Sequence, residues 1–288
     1  MTAAGETDLL DIMVALRARR EPYALATVVE TDGSASARPG AKALIARDGA
    51  LLAGWVGGGC AESAVRQTAL DCLRTGEPRV IELDLNSEVL GTGMPCGGSM
   101  RVYVEPVLPR PALWILGHGR AAECLCRFGA TLGFRVVVDD TPAPDPAKYP
   151  DAAEIIGDDY DYARLEPGPE DAVVIATQHK GDHLSAVRAL RSPAAYIAII
   201  ASAKRARLVL DFLREQGFSE GELARRVHAP AGLDLGARTP EEIALSILSE
   251  LTMLRRGGSG RPMRQMVERR SAEPPEGADA VAAHGSAA

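Results

Sequence analysis

The sequence predicts an α/β protein in which a small N-terminal α+β domain precedes a Rossmann-like domain with a parallel sheet, followed by a disordered tail. Helical and β-rich runs alternate up to about residue 107, and a strand, glycine loop, helix and strand follow from Leu113. The end of the chain consists largely of Gly, Ser, Pro, Glu and Ala. We assign residues 1–108, 109–256 and 257–288 to these three parts.

Composition excludes some classes of partner. The chain has 288 residues, a net charge of -7 and a pI near 5.4, so no basic field attracts nucleic acid or an anionic membrane. Its start is acidic, and the sequence contains no apolar stretch of the length of a signal or a membrane span. We therefore expect a cytoplasmic protein.

The N-terminal domain reads as two helices and five strands. Apolar residues at helical spacing predict a helix over residues 8–20, and the turn Asp48-Gly49 joins two strands. A second helix from Ala61 ends at Gly76. The remaining strands are predicted over residues 23–31, 79–85 and 100–107.

Two cysteines stand in glycine loops, GWVGGGC (54–60) and GMPCGG (93–98). Glycine lets a backbone approach another group closely, which predicts a surface site rather than a packed thiol. The candidate catalytic residues are Cys60, Cys96 and Glu62, where Glu62 either accepts a proton or interacts with the helix N-terminus. Cys60 and Cys96 are also candidate ligands for a soft metal such as Cu(I). The candidate cofactor contacts here are Gly58, Gly59 and Gly97.

Alternative interpretations of the cysteines stay open. A thiol just before a helix ionises more readily, which favours a nucleophilic Cys60, but a small apolar residue filling a loop is the structural alternative. A disulfide between Cys60 and Cys96 is disfavoured in a reducing compartment. Cys72, Cys124 and Cys126 lie in predicted helices, where we expect them to be packing residues.

The second domain begins after a proline-rich linker at residues 106–111. The run LWILGHGRAA predicts a strand that enters a G-x-G-x-x-A loop and a helix, with Gly117, Gly119 and Ala122 at the motif positions. The next strand, RVVVDD, ends in Asp139 and Asp140. This pattern predicts a dinucleotide site, in which the helix N-terminus binds a pyrophosphate and Asp139 accepts the ribose hydroxyls. Asp140 is a further candidate cofactor contact, and His118 is a candidate contact to a phosphate or to the neighbouring domain.

Further βαβ alternation completes the second domain. Strands are predicted over residues 171–177 and 194–200, with helical stretches between and after them. In TQHKGDH, His179 and His183 have metal-ligand spacing, although a helix cap or a ligand-facing loop is the favoured interpretation. Thr239, Pro240 and Glu242 form a capping box at the start of the last helix.

The assembled motifs resemble the XdhC/CoxI family of accessory proteins that mature molybdenum hydroxylases. The resemblance covers about residues 8–256 and rests on six segments: GSASARPGAKALI (33–45), GGGCAE (57–62), PCGGSMRVYVEP (95–106), LWILGHGRAA and VVVDD in the Rossmann half, and RVHAPAGLDLGARTPEEIALSILSE (226–250). Cys60, where the xanthine dehydrogenase branch often has histidine, makes the chain more similar to the CoxI/CoxF type of carbon monoxide dehydrogenase accessory proteins. At IIASAKRAR (199–207) the chain departs from the glycine-serine-arginine loop that is more usual in the family.

The resemblance implies a chaperone-like maturation factor rather than a stand-alone catalyst. Its cargo would be the molybdenum cofactor, including its cytosine dinucleotide form, bound between the cysteine loops and the Rossmann domain. Its partners would be an apo molybdenum hydroxylase of the carbon monoxide dehydrogenase type and a cysteine desulfurase or copper donor for sulfuration or copper insertion. A homodimer is compatible with this interpretation.

Two other hypotheses compete with the maturation factor. The first is an oxidoreductase that binds FAD or NAD(P) in the Rossmann domain and uses the cysteines as a redox pair. The second is a partner-binding scaffold with a vestigial nucleotide loop.

Overall fold

The computed structural model describes residues 8–33, 35–84, 98–140, 144–177 and 181–265. The chain forms two compact units, Met1–Arg110 and Pro111–Ala288. One unit contains an antiparallel sheet with helices and the other a parallel sheet with helices on both faces, which confirms the predicted fold class. Of the predicted tail, residues 266–288 lie outside the described residues.

The N-terminal unit is a five-stranded antiparallel sheet packed against two helices. Its strands follow the order β3-β2-β1-β5-β4. The helices are α1 (Leu9–Ala18) and α2 (Cys60–Thr75). The strands are β1 (Tyr23–Gly33), β2 (Lys42–Ala46), β3 (Leu51–Gly54), β4 (Arg79–Asp84) and β5 (Gly98–Val107).

Strand alternation gives this sheet two buried faces. Ala24 and Ala26 of β1 pack in one cluster with Val65 of α2, while Tyr23 packs with Leu16 of α1 in a second cluster. The period of two along a strand therefore determines which helix each side chain meets. Cys72 is fully buried on the sheet side of α2, which confirms its predicted packing role.

The second unit is a six-stranded parallel sheet. The order β11-β10-β9-β6-β7-β8, read from the opposite edge, is the 3-2-1-4-5-6 order of dinucleotide-binding Rossmann folds. Its strands are β6 (Ala112–Gly117), β7 (Arg135–Asp139), β8 (Glu154–Ile156), β9 (Ala172–Ala176), β10 (Tyr196–Ile199) and β11 (Val227–His228).

Helices cover both faces of the parallel sheet. On one face α3 (Arg120–Thr131) packs beside α7 (Pro240–Arg256), and Cys124 and Cys126 are buried there as predicted. The other face carries α4 (Asp182–Arg191), α5 (Ala203–Glu215) and α6 (Glu220–Arg226). The elements not anticipated from the sequence are β8, α6, β11 and a 3-10 helix at Pro146–Lys148, which are too short for a clear periodic signal.

The capping box of α7 is confirmed. Thr239 accepts a hydrogen bond from the backbone N–H of Glu242, and the Glu242 carboxylate accepts one from the N–H of Thr239. No helix in the described part of the chain is long and apolar enough to cross a bilayer.

A partly buried carboxylate organises the motif that ends the second unit. Glu250 of α7 accepts hydrogen bonds from the Tyr196 hydroxyl at 2.7 Å and from the backbone N–H of Gly232 at 3.0 Å. His228 Nδ1 lies 3.2 Å from the same carboxylate, and its ring stacks on Tyr196 with centroids 4.4 Å apart. Burial alone would raise the pKa of Glu250, but the contacts from His228 and Tyr196 lower it. These contacts give His228 a structural role within this unit.

Replacing Tyr196 by phenylalanine should destabilise the protein by about 2 kcal/mol, because the carboxylate loses a buried charge-assisted hydrogen bond. Urea denaturation at neutral pH measures this change. Tyr160→Phe is the matched control, since Tyr160 is 71% exposed. Equal free energies of unfolding for the two variants would contradict a stabilising role of the Glu250 contacts.

Candidate functional site

The glycine loop of the second unit lies at the switch point of the parallel sheet. Gly117 ends β6, and the loop after it enters α3, while β7 and β9 flank β6 on its two sides. Gly117 has φ +114°, and a Cβ there would lie 2.5 Å from the carbonyl oxygen of Ala176. The end of β6 therefore passes too close to the end of β9 for a side chain. Rossmann ligands bind at this edge of the sheet.

The first turn of α3 has no side-chain cap. Its N-cap residue is Gly119, with φ +93°. By contrast, side chains cap α1, α5, α6 and α7, and the capping residues are Asp8, Ser202, Ser219 and Thr239. Backbone N–H groups of the first turn of α3 are therefore available to an anion, and the helix dipole favours negative charge there.

The two aspartates after β7 occupy different environments. Side chains alternate between the two faces of the sheet along β7. Asp139 follows Val137 on the face covered by α4, α5 and α6. Asp140 follows Val138 on the face covered by α3 and α7. Asp139 is fully buried, whereas the Asp140 carboxylate is 13% exposed and lies 3.1 Å from Nδ1 of His118. Of the two predicted aspartates, Asp140 therefore has the carboxylate that contacts the glycine loop. His118 is itself 39% exposed.

Burial changes the ionisation of both carboxyl groups. It raises the pKa of Asp139 to about 7, and Asp159 adds to this effect while Arg164 opposes it. Among the described residues no N–H or O–H group donates to either carboxyl oxygen of Asp139, and its hydrogen-bonding neighbour is the Asp159 carboxyl, which favours a protonated form. Burial also raises the pKa of Asp140, although His118 opposes that shift. A neutral carboxyl is thus buried at the end of β7 over part of the physiological pH range.

A second uncapped helix begins in the N-terminal unit. Helix α2 starts at Cys60, its N-cap is Gly59 with φ +57°, and no side chain caps it. Gly57 is buried, and a Cβ on it would meet Ser36 Oγ and the Cβ of Ala61 at 3.2 Å, so the fold itself requires this glycine. Gly58 has no positive φ, and a Cβ added there would meet no atom within 4 Å. Packing does not explain the glycine at position 58.

Cys60 is partly exposed at the start of this helix, and Glu62 lies in the same first turn. The Glu62 carboxylate is 3.4 Å from Arg66, whose Nε donates a hydrogen bond of 2.6 Å to the carbonyl of Gly49. Glu62 thus stabilises the arginine that holds the β2–β3 turn. It lines a surface pocket of about 420 Å³ together with Gly59 and Arg66.

Several predicted residues lie outside the described residues, namely Cys96, Gly97 and His179. A site shared by Cys60 and Cys96 therefore stays a prediction. Within the described ranges, no group of three or more His, Cys, Asp or Glu side chains is arranged to hold a metal ion.

His183 packs edge-on against Phe212 with ring centroids 4.9 Å apart. The thiol of Cys126 is unsuited to chemistry at neutral pH, because burial raises its pKa to about 11.

Sequence reasoning missed a polar cluster at the carboxyl end of β9. Asp182, at the first position of α4, accepts a hydrogen bond from the Thr177 hydroxyl and lies 3.3 Å from Nε of Arg205 in α5. The sequence signal was weak: a threonine after a buried strand and an aspartate after a glycine.

Two family models match this chain. The XdhC Rossmann domain matches residues 113–251, and the model of the XdhC and CoxI family matches residues 16–84. Both units are therefore represented, and the chain belongs to the XdhC and CoxI family.

Curated relatives have the following similarities. The uncharacterized protein YqeB of Escherichia coli is 31% identical over 245 residues, covering 83% of this chain and 44% of that protein. A probable xanthine dehydrogenase subunit of Bacillus subtilis is 29% identical over 160 residues, covering 54% and 46%. The molybdenum cofactor insertion chaperone PaoD of Escherichia coli is 26% identical over 265 residues, covering 80% and 83%. The chain thus spans less than half the length of the first two relatives.

Among solved structures, a xanthine dehydrogenase from Bacillus halodurans aligns with a TM-score of 0.46. The sequences are 24% identical, and the alignment covers 86% of this chain and 96% of that one.

The buried Asp139 should make stability fall as the pH rises. Its pKa is about 7 in the folded protein against 3.8 for a free side chain, so between these values the folded chain holds a proton that the unfolded chain has released. The free energy of unfolding therefore decreases from about pH 4 to about pH 7. We expect the stability advantage of Asp139→Asn over the wild type to be at least about 1 kcal/mol larger at pH 8 than at pH 5, because the wild type alone loses stability between these values.

Urea denaturation at the two pH values measures this difference. Asp161→Asn is the control, because Asp161 is exposed. A pH dependence for Asp139→Asn equal to that of the wild type would show that this carboxyl does not titrate as its burial requires.

Proposed function

We propose that this chain is a maturation factor for a molybdenum hydroxylase, which binds the molybdenum cofactor as cargo and passes it to the apoenzyme. The observation that carries the proposal is Cys60 at the uncapped, glycine-lined start of α2. Membership of the XdhC and CoxI family supports it, as does similarity over most of both chains to a protein named a molybdenum cofactor insertion chaperone.

The second unit fits the nucleotide part of such a cargo. A cofactor extended by cytidine monophosphate contains a pyrophosphate, which suits the open N-terminus of α3 and the glycines at 117 and 119. In this proposal Asp140 accepts ribose hydroxyls and His118 contacts the phosphates, and the contact between these two side chains at the glycine loop supports it. Gly117 lets the backbone, rather than a side chain, define the surface of the loop.

The N-terminal unit supplies the thiol chemistry. Thiolates are good ligands for soft metals, and a helix N-terminus stabilises the negative charge of a thiolate. In this proposal Cys60, with Cys96, holds sulfur or Cu(I) for the cofactor, and the client is of the carbon monoxide dehydrogenase type because cysteine replaces the histidine of the xanthine dehydrogenase branch. The cofactor itself provides the metal and the dithiolene that complete the hydroxylase centre.

A second candidate function is a dinucleotide-dependent oxidoreductase. The strand order and the uncapped glycine loop favour it, since they suit FAD or NAD(P) as well as a pterin dinucleotide. The two functions differ in which dinucleotide the purified protein retains.

A transfer assay tests the maturation role. The protein is purified anaerobically from a molybdate-replete host and mixed with apo hydroxylase of the carbon monoxide dehydrogenase type, and the activity and the molybdenum gained by the hydroxylase are measured. We expect Cys60→Ser to reduce activation at least about tenfold, because a serine hydroxyl is a poor soft-metal ligand and a poor sulfur carrier.

The control for this assay is Ser63→Ala, an exposed position on the same turn of α2. If Cys60→Ser activates the apo hydroxylase as fully as the wild type does, the Cys60 thiol has no role in the transfer. Absence of activation by the wild type would contradict the maturation role for this client.

A substitution at Gly58 tests cargo binding without changing the packing of the folded chain. Gly58→Ala should leave the free energy of unfolding unchanged or raise it by up to about 1 kcal/mol, because the alanine meets no strain and restricts the unfolded chain. Gly57→Ala should destabilise the protein, since Gly57 has φ +113° and close neighbours. If cargo approaches the backbone at position 58, the stable Gly58→Ala protein should activate the apo hydroxylase less than the wild type does. Full activation would show that no close approach occurs there.

A further inference from the structure

Three polar side chains meet where β9 ends. The Thr177 hydroxyl donates to the carboxylate of Asp182, and Nε of Arg205 lies 3.3 Å from the other oxygen of that carboxylate. The Asp182 side chain is 2% exposed and Thr177 is 4% exposed, whereas the Arg205 side chain is 33% exposed. The cluster therefore presents a guanidinium to solvent above a buried acid.

Burying a carboxylate is costly unless hydrogen bonds and an opposite charge compensate for it. Thr177 and Arg205 provide this compensation, and the N-terminus of α4 adds its dipole. The contact with Asp182 holds the long, flexible Arg205 side chain in one orientation. The first turn of α5 adds Lys204 and contains no acidic residue.

The cluster lies at the ligand edge of the sheet. Strand β9 pairs with β6, so the end of β9 is next to the glycine loop, on the side opposite to β7 and Asp140. A dinucleotide in a Rossmann fold crosses this edge, with its pyrophosphate at the loop and its two halves over opposite sides of the switch point. Asp140 and Arg205 thus face different halves of such a ligand.

We infer that Arg205, positioned by Asp182, binds the half of the ligand that is remote from the nucleotide and selects a ligand whose remote half is anionic or rich in hydrogen-bond acceptors. The inference deepens the proposed function and rests on it. The pterin and metal end of a molybdenum cofactor has this character, with ring carbonyl and nitrogen acceptors and anionic sulfur ligands. The oxidised nicotinamide of NAD carries a positive charge and is disfavoured beside a guanidinium.

The test compares two ligands on the same protein. The first is the molybdenum cofactor retained after anaerobic purification, quantified as oxidised pterin fluorescence per protein. The second is cytidine diphosphate, which probes only the nucleotide half, with its dissociation constant measured by titration calorimetry. We expect Arg205→Met to lower retained pterin about tenfold or more, as for loss of a charge-assisted hydrogen bond, and to change the cytidine diphosphate constant less than about twofold.

Further variants distinguish contact from structural support. Arg205→Lys should restore part of the pterin retention because it keeps the charge. Arg207→Met, an exposed position on the same helix, should retain pterin like the wild type. Asp182→Asn should lower retention, and the double variant with Arg205→Met should lose no more than Arg205→Met alone, since Asp182 acts through Arg205.

The outcomes separate the two proposals. If the wild type retains pterin and Arg205→Met retains as much, the role of Arg205 is wrong while the maturation function stands. Equal losses of pterin and cytidine diphosphate binding in Arg205→Met would also overturn the inference, because they indicate a general structural effect. If the wild type retains no pterin and binds no cytidine diphosphate, the proposed function fails and the inference fails with it.

Discussion

The close contact between the end of β6 and the end of β9 is the constraint on which the second unit depends. A side chain at Gly117 would overlap the carbonyl of Ala176, so the two strands can end side by side only if glycine stands there. This places the start of α3 directly at the carboxyl edge of the sheet. The unsatisfied N–H groups of that helix, and the His118–Asp140 pair beside them, then face the position where a ligand binds in this fold.

The helices divide into two groups by the way they begin. Those that begin with Asp, Ser or Thr satisfy their own first turn, which stabilises them without a ligand. Helices α2, α3 and α4 begin after Gly59, Gly119 and Gly181, and none of these three has a side-chain cap. Two of them start at Cys60 and at the glycine loop after β6, and the third starts at Asp182, which contacts Arg205. The protein thus forgoes the stabilisation of a cap at the helix ends where chemistry is proposed.

Local signals in the sequence were sufficient for much of the fold. The glycine loop, the Thr239 capping box and the buried cysteines follow from spacing within one or two turns, and each is found in the structure. The sequence named both Asp139 and Asp140 but did not separate their environments, because a shift of one residue at the end of a strand exchanges the two faces of the sheet. The Asp182–Arg205 contact joins residues 23 apart and the Tyr196–Glu250 contact joins residues 54 apart. Such pairs depend on how strands align, which periodicity alone does not specify.

The most direct test of the central claim is the identity of the ligand that the protein carries. Anaerobic purification from a molybdate-replete host, followed by acid release and mass analysis, identifies any bound dinucleotide, and metal analysis gives the molybdenum content of the same sample. We expect a pterin nucleotide together with molybdenum. Release of FAD or a nicotinamide dinucleotide alone, without pterin or molybdenum, would contradict the maturation role and favour the oxidoreductase.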